Sequence, residues 1–137
     1  MESFNQFIEE ITPYIIEKRR QFHQFPEVAW TEYVTTYELL KELEKLDFTV
    51  VYGKEILISE ARMGLPSEEQ LNIHEIRAME HGVPEEVLLN MAQGHTGVIA
   101  KLNTNFPGKH SILRFDIDAL PIEETNEYSH YPNECQF

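Results

Sequence analysis

The first 25 residues carry apolar side chains at the spacing of an amphipathic helix. Ser3 followed by Gln6 has the form of a capping box and predicts where this helix begins. Phe25 before Pro26 predicts its end, because the residue before a proline avoids helical geometry. Pro13 predicts a kink or a restart, since proline suits a first helical turn but not an interior. The apolar positions are Phe4, Phe7, Ile8, Ile11 and Ile15.

A second amphipathic helix and a strand follow. Apolar side chains mark one side of a helix from about residue 31 to about residue 46, with charged residues opposite. These apolar residues are Tyr33, Tyr37, Leu40, Leu43 and Leu46. Residues 48–52 are rich in β-branched and aromatic side chains, which predicts a strand that stops at Gly53.

Residues 56–93 differ in character from their surroundings and predict a helical insertion. Ser67 and Gln70 form a second capping box, which opens a polar helix that Gly82 closes. Pro84 opens a short helix that ends near Met91. We interpret the two helices as an insertion between two strands and not as a separate domain.

Strands are predicted on both sides of a turn in the last third of the chain. Residues 96–102 and 111–116 have strand character, and residues 105–108 form the turn between them. Strands joined by so short a turn are expected to pair antiparallel. The order of elements predicts the α/β fold class, as a partial α/β sandwich whose sheet is only partly supplied here.

Composition limits the possible partners and the compartment. The chain of 137 residues is long enough for one domain, and its 24 acidic against 11 basic residues give a net charge of −13. Such a charge disfavours nucleic acid and anionic membranes as partners. No stretch approaches the roughly 20 apolar residues that cross a bilayer, and no secretory signal is visible. Cys135 is the only cysteine, so a reducing, cytoplasmic compartment is expected.

The best candidate for chemistry is the pair Asp116 and Asp118, at the end of the last predicted strand. In a strand these side chains and Arg114 share one face, with the two carboxylates roughly 7 Å apart. Close like charges raise each other's proton affinity unless a cation lies beside them, which suits a divalent-metal or acid/base site. Two alternatives stay open: the aspartates cap local backbone amides, or Arg114 forms a salt bridge with one of them.

The histidines and the cysteine do not form a recognisable site. No two histidines have the spacing that places metal ligands on one helix face. His74 and His81 are expected on a solvated helix face, and His23 is expected to contact the terminal carbonyls of its helix. His95, in a loop beside two glycines, is assigned no catalytic role, and Cys135 is interpreted as an ordinary thiol.

Four landmarks in order resemble the opening of the M20 metallopeptidase family, in its amidohydrolase branch. They are residues 19–27, 96–100, 107–108 and 113–122, and together they extend over nearly the whole chain. Residues 53–55 and 61–66, around the start of the insertion, are similar to the p-aminobenzoyl-glutamate hydrolase A-subunit group of that family.

The resemblance implies a zinc-peptidase-like catalytic domain that holds two divalent metal ions, zinc or manganese. A metal-bridging water then attacks the amide carbonyl of an N-acyl or aminobenzoyl amino acid, with a glutamate as general base. Asp118 matches the family aspartate that orients a metal-ligand side chain from behind, and Asp116 lies at or beside the site. Homodimerisation or pairing with a complementary subunit is implied for the parent enzyme.

The chain departs from the family at its end. A His-x-Cys-Gly-His-Asp ligand run, the catalytic glutamates and a lid or dimerisation domain are expected after the present C-terminus. We therefore interpret residues 1–137 as an N-terminal fragment of the catalytic domain, inactive alone and without tight metal binding. The alternative is a stand-alone remnant that acts as a binding or interaction module, with the acidic insertion at 67–91 as its contact surface.

Overall fold

A computed structural model describes residues 3–136 of the chain. It divides into two compact units, one formed by residues 27–120 and the other by the segments before and after it. Within the described residues, no helix is both long enough and apolar enough to cross a membrane.

The first unit is the one formed by the N- and C-terminal segments, and each segment contributes a helix to it. Helix α1 is Phe4–Gln24, and Ser3 caps it by accepting a hydrogen bond from the Gln6 amide, as predicted. The reciprocal half of the capping box is absent from the described contacts, because the Gln6 side chain donates to Glu10 instead. Pro13 lies inside one continuous helix, so the predicted restart is wrong.

The second unit begins with helix α2, Tyr33–Lys45, and strand β1, Thr49–Tyr52. Two short 3-10 helices follow, Gly53–Glu55 and Ser59–Ala61. Helices α3, Glu68–Glu80, and α4, Glu85–Met91, come next, and strand β2, Val98–Lys101, ends the regular structure of this unit. Helix α5, Tyr131–Cys135, belongs to the first unit.

The predicted helices of the insertion are confirmed between the two strands. The Ser67–Gln70 capping box opens α3 with both of its reciprocal hydrogen bonds. Gly82 follows α3 with a φ of +82°, a left-handed conformation that glycine adopts readily. This insertion is part of the folded unit, because α3 and α4 supply side chains to its hydrophobic core.

The sheet consists of β1 and β2, which pair antiparallel in the register Thr49 opposite Lys101 and Tyr52 opposite Val98. Gly53 ends β1 with a φ of +69°, and a Cβ there would lie 2.4 Å from the Asn90 carbonyl oxygen. Only glycine therefore allows the chain to leave the strand so close to the end of α4.

The hydrophobic core of this unit lies between α2 and the two helices of the insertion. Fully buried Tyr33 of α2 packs with the side chains of Ala78, Val83, Leu88 and Met91. Partly buried apolar residues surround this cluster, among them Tyr52 of β1. The sequence predicted the apolar face of α2 correctly at Tyr33 and Leu40, both of which are buried.

The predicted strand at 111–116 is wrong, and so is its predicted pairing with 96–102. Residues 102–118 contain no strand, and β2 pairs with β1 instead. Ile112 and Phe115 are 94% and 76% exposed, so this alternating segment finds no neighbouring strand among residues 3–136. Alternation specifies which face is apolar, but a strand also needs a partner for its backbone groups. Just beyond this segment, Ala119 forms an isolated parallel bridge with Val28.

Replacing Gly94 by alanine tests the close packing behind the loop after α4. Gly94 has a φ of +75°, and a Cβ there would lie 2.9 Å from the Trp30 carbonyl oxygen. We expect Gly94→Ala to lower the free energy of unfolding by about 3 kcal/mol, from backbone strain and overpacking combined.

The matched control is Gly64→Ala, whose φ is +70° but whose Cβ would meet nothing within 4 Å. It carries the conformational penalty alone, about 1 kcal/mol. Urea denaturation followed by circular dichroism measures both. Equal losses for the two variants would contradict the close contact at Gly94.

Candidate functional site

The two aspartates proposed for chemistry, Asp116 and Asp118, have different surroundings. Asp116 accepts a hydrogen bond from Arg114 at 2.9 Å in an exposed ion pair, which matches one of the alternatives left open by the sequence. Asp118 is also exposed, but the backbone next to it is anchored. The Ala119 amide donates to the Glu27 carbonyl oxygen at 2.7 Å. Asp118 is thereby held near the segment that leads into α2.

Glu27 organises the start of α2 with its side chain. The residue is 3% exposed, and its carboxylate accepts hydrogen bonds from the amides of Val34 at 3.1 Å and Thr35 at 2.7 Å. The first amides of a helix have no partner within the helix, and the helix dipole favours negative charge there. A buried carboxylate is stabilised at this position because its charge is matched by donors.

Glu32 places a second buried carboxylate at the N-cap position of the same helix. Its side chain accepts a hydrogen bond from the Thr96 hydroxyl, and the residue is 7% exposed. Burial raises the pKa of Glu32 above its ordinary value, and the nearby charges of Asp118 and Glu27 raise it further. The Thr96 hydrogen bond acts in the opposite direction. Glu32, Glu27 and Asp118 therefore form one electrostatic neighbourhood.

Tyr33 connects the helix start to α3 and to the loop before β2. Its hydroxyl donates to the Glu75 carboxylate at 3.0 Å and accepts from the Gly94 amide at 2.9 Å. Glu75 also accepts from the Gln93 amide at 2.7 Å. Burial raises the pKa of Tyr33, and the Glu75 charge reinforces the shift. The phenol therefore remains a neutral donor at neutral pH.

The loop at residues 92–97 is held by side chains along most of its length. The Gly97 amide donates to the Thr36 hydroxyl at 2.9 Å, and the Arg62 guanidinium donates to the Gln93 carbonyl oxygen at 2.6 Å. Gln93, Gly94 and Gly97 have φ angles of 61°, 75° and 100°. Positive φ at a glutamine is unfavourable without support from its surroundings. The hydrogen bonds supply that support.

The expectation for one of the histidines needs correction. His74 is only partly solvated: it is half-buried, and its Nδ1 atom is buried without a hydrogen-bond partner among residues 3–136. Burial lowers the pKa of His74. His23 has a carboxylate among its contacts, since its Nε2 lies 3.2 Å from a Glu124 oxygen. His81 is exposed as expected, and Cys135 is an exposed free thiol.

The site provides a group of neighbouring carboxylates, Glu27, Glu32 and Asp118, on hydrogen-bonded backbone. Within residues 3–136, no three His, Cys, Asp or Glu side chains converge in a way that could hold a metal ion. The described residues thus hold the backbone beside Asp118 and concentrate negative charge there. They do not by themselves form a metal centre.

Sequence reasoning did not single out Glu27, Glu32, Tyr33 or Thr96 as site residues. A usable signal existed for Glu27, because an acidic residue just before a predicted helix can cap it. No local signal marked Glu32 or Tyr33, since their partners Thr96 and Glu75 lie 64 and 42 residues away.

Neutralising Glu32 tests the electrostatic neighbourhood. A carboxyl group whose folded pKa is raised stabilises the protein fully below its unfolded pKa, near 4.5, and loses that contribution as pH rises through the folded value. We expect Glu32→Gln to unfold at higher urea concentration than wild type at pH 7, with the difference disappearing at pH 4. The amide oxygen of glutamine can still accept the Thr96 hydrogen bond.

Glu55→Gln, at an exposed position, controls for the loss of one negative charge from a chain of net charge −13. It should shift the urea midpoint little at either pH. A Glu32→Gln variant that is less stable than wild type at pH 7 would show that its charge is needed for folding, contrary to this interpretation.

Several known proteins are similar to this chain in sequence. No family model matches the chain. The p-aminobenzoyl-glutamate hydrolase A-subunit of Escherichia coli (strain K12) is 36% identical over 132 residues, which are 96% of this chain and 30% of that protein. The indole-3-acetyl-aspartic acid hydrolase of Enterobacter agglomerans is 33% identical over the same shares. Thermostable carboxypeptidase 2 of Saccharolobus solfataricus is 30% identical over 93% of this chain and 23% of that protein.

A solved structure agrees with these sequence matches. The aminobenzoyl-glutamate utilization protein from Klebsiella pneumoniae superposes with a TM-score of 0.81 at 34% identity, over 86% of this chain and 30% of that one. Its fold supports the predicted partial α/β class. This chain spans about 30% of the length of the first curated relatives it matches. The predicted resemblance is confirmed: the chain is a homologue of the N-terminal part of the p-aminobenzoyl-glutamate hydrolase A-subunit group.

Proposed function

We propose that this chain forms the N-terminal part of a metal-dependent amidohydrolase. The reaction is cleavage of the C–N amide bond of an N-acyl or aminobenzoyl amino acid. The observation that carries this proposal is the alignment of 132 residues, at 36% identity, with the p-aminobenzoyl-glutamate hydrolase A-subunit. The names of two relatives describe an aromatic acyl group joined to glutamate or to aspartate, which supports this substrate class.

The metal remains part of the proposal and is not assigned to residues of this chain. Zinc or manganese would supply a water of lowered pKa and would polarise the amide carbonyl. Since residues 3–136 present no cluster of three ligands, they do not fit a resident metal ion on their own. We therefore derive no catalytic step through a metal from them.

Within the proposed enzyme, Asp118 orients a metal-ligand side chain, and Asp116 lies beside the site in a less defined role. The anchoring of Ala119 to Glu27 supports the first assignment, because an orienting residue must itself be held in place. The exposed ion pair of Asp116 with Arg114 leaves its carboxylate less constrained.

The proposal extends to assembly and location. Isolated residues 1–137 are proposed to be inactive, and a homodimer or a complementary subunit completes the parent enzyme. The Escherichia coli relative is itself one subunit of a hydrolase, which supports an assembly of that kind. The single cysteine, free in this structure, supports a cytoplasmic location.

A chimera tests the function directly. Residues of this chain replace the matched segment of the Escherichia coli relative, in a strain that lacks its own copy of that protein. We expect the chimera to restore hydrolysis of p-aminobenzoyl-glutamate in cell extracts. Asp118→Asn in the chimera is expected to lower kcat about 10–100-fold, the usual effect of removing a residue that orients a metal ligand.

Asp47→Asn is the control for the same chemical change at an exposed position of this chain. Asp47 has a φ of 59°, which asparagine also tolerates, so activity should be unaltered. A well-expressed chimera without amidase activity would refute the proposed function. Full activity of Asp118→Asn would refute only the role of Asp118.

Titration calorimetry with zinc and with manganese tests the isolated 137-residue chain. We expect no tight binding, because no group of three ligands converges within residues 3–136. Tight binding at two sites, or hydrolysis of an acyl amino acid after addition of metal, would contradict the proposed inactivity of the chain alone.

A further inference from the structure

A serine and a histidine lie in hydrogen-bond contact within residues 27–120. The Ser59 hydroxyl oxygen lies 2.9 Å from Nε2 of His95. Ser59 belongs to the second 3-10 helix and is exposed, whereas His95 is only 3% exposed. An exposed hydroxyl paired with a buried imidazole is the arrangement that activates serine as a nucleophile.

The imidazole is oriented by a third group. Nδ1 of His95 lies 2.6 Å from the Ala92 carbonyl oxygen. A carbonyl oxygen can only accept, so Nδ1 of the neutral ring carries the proton and donates it. Nε2 is then the acceptor, and the Ser59 hydroxyl donates to it. The ring therefore presents its basic nitrogen to Ser59, as a general base requires.

Both partners lie in segments whose backbone groups are hydrogen-bonded. His95 lies in the loop between Gln93 and Gly97, whose positive φ angles are maintained by the side-chain hydrogen bonds described above. The Arg62 guanidinium joins the two segments, donating to the Ser59 carbonyl oxygen at 3.3 Å and to the Gln93 carbonyl oxygen at 2.6 Å. Because strained, well-supported backbone is common at reactive sites, this observation adds to the geometry of the pair.

We propose that Ser59 is a nucleophile activated by His95, and that it accepts an acyl or phosphonyl group from an ester or fluoride with a good leaving group. The Ser59 oxygen attacks the carbonyl carbon or the phosphorus, and His95 Nε2 takes the hydroxyl proton. The new bond from Ser59 forms as the bond to the leaving group breaks. The leaving group departs with the bonding electron pair, and the imidazole then releases its proton to water.

This reactivity is separate from the amide hydrolysis proposed for the family. It uses neither Asp116 nor Asp118, and it needs no metal. A structural role alone, in which Ser59 merely satisfies the buried imidazole, predicts no enhanced reactivity. The experiment therefore measures reactivity and not stability.

The test is covalent labelling of the full 137-residue chain by a biotin-linked fluorophosphonate. Intact mass and peptide mapping follow the adduct on each serine. We expect labelling at Ser59 at least about 100-fold faster than at the other serines, the lower range of general-base catalysis. The comparison residues in the same molecule are Ser3, Ser67, Ser111 and Ser129.

Two controls make the result decisive. Ser59→Ala should abolish the fast adduct, while Ser111→Ala, at another exposed serine, should leave it unchanged. In concentrated urea the preference for Ser59 should vanish, because unfolding separates it from His95. No adduct on the folded chain, equal labelling of all serines, or a preference that persists in urea would each overturn the proposal.

Discussion

The buried start of α2 is the constraint on which the rest of this unit depends. A helix leaves its first amides without partners, and here the Glu27 carboxylate satisfies two of them from a site closed to water. Charge-assisted hydrogen bonds of this kind are roughly twice as strong as neutral ones. The direction in which α2 leaves the preceding segment is thereby set, and so are the positions of the residues that follow along its first turns.

Those residues then determine the course of a distant part of the chain. Glu32, Tyr33 and Thr36 contact Thr96, Gly94 and Gly97 respectively, across more than 60 residues of sequence. A single helix end therefore specifies the path of the loop before β2. Since β2 can pair with β1 only if that loop returns at the correct place, the sheet register depends on polar contacts as well as on apolar packing.

Burying so many polar groups is favourable only when each has a partner. The hydroxyl of Tyr33 shows how this is achieved: it donates to one group and accepts from another while its ring forms the centre of the apolar core. The same pattern appears at His95, whose two ring nitrogens both have partners. His74 lacks such a partner for Nδ1 among residues 3–136, and its lowered pKa is consistent with burial of a neutral ring.

The sequence by itself determined helices α1 to α4 and strand β1, because helical periodicity, capping boxes and a terminating glycine are local signals. The Ser67–Gln70 capping box of α3 and the start of α4 after Pro84 show this directly. The sequence also predicted the similarity to p-aminobenzoyl-glutamate hydrolase A-subunits, through landmarks in a fixed order. Only the tertiary structure decided which strand pairs with β2, and that the alternating residues at 111–116 pair with none of the described strands. It alone brought together Glu32 with Thr96 and Ser59 with His95, because hydrogen bonds between residues far apart in sequence leave no periodic trace in either segment.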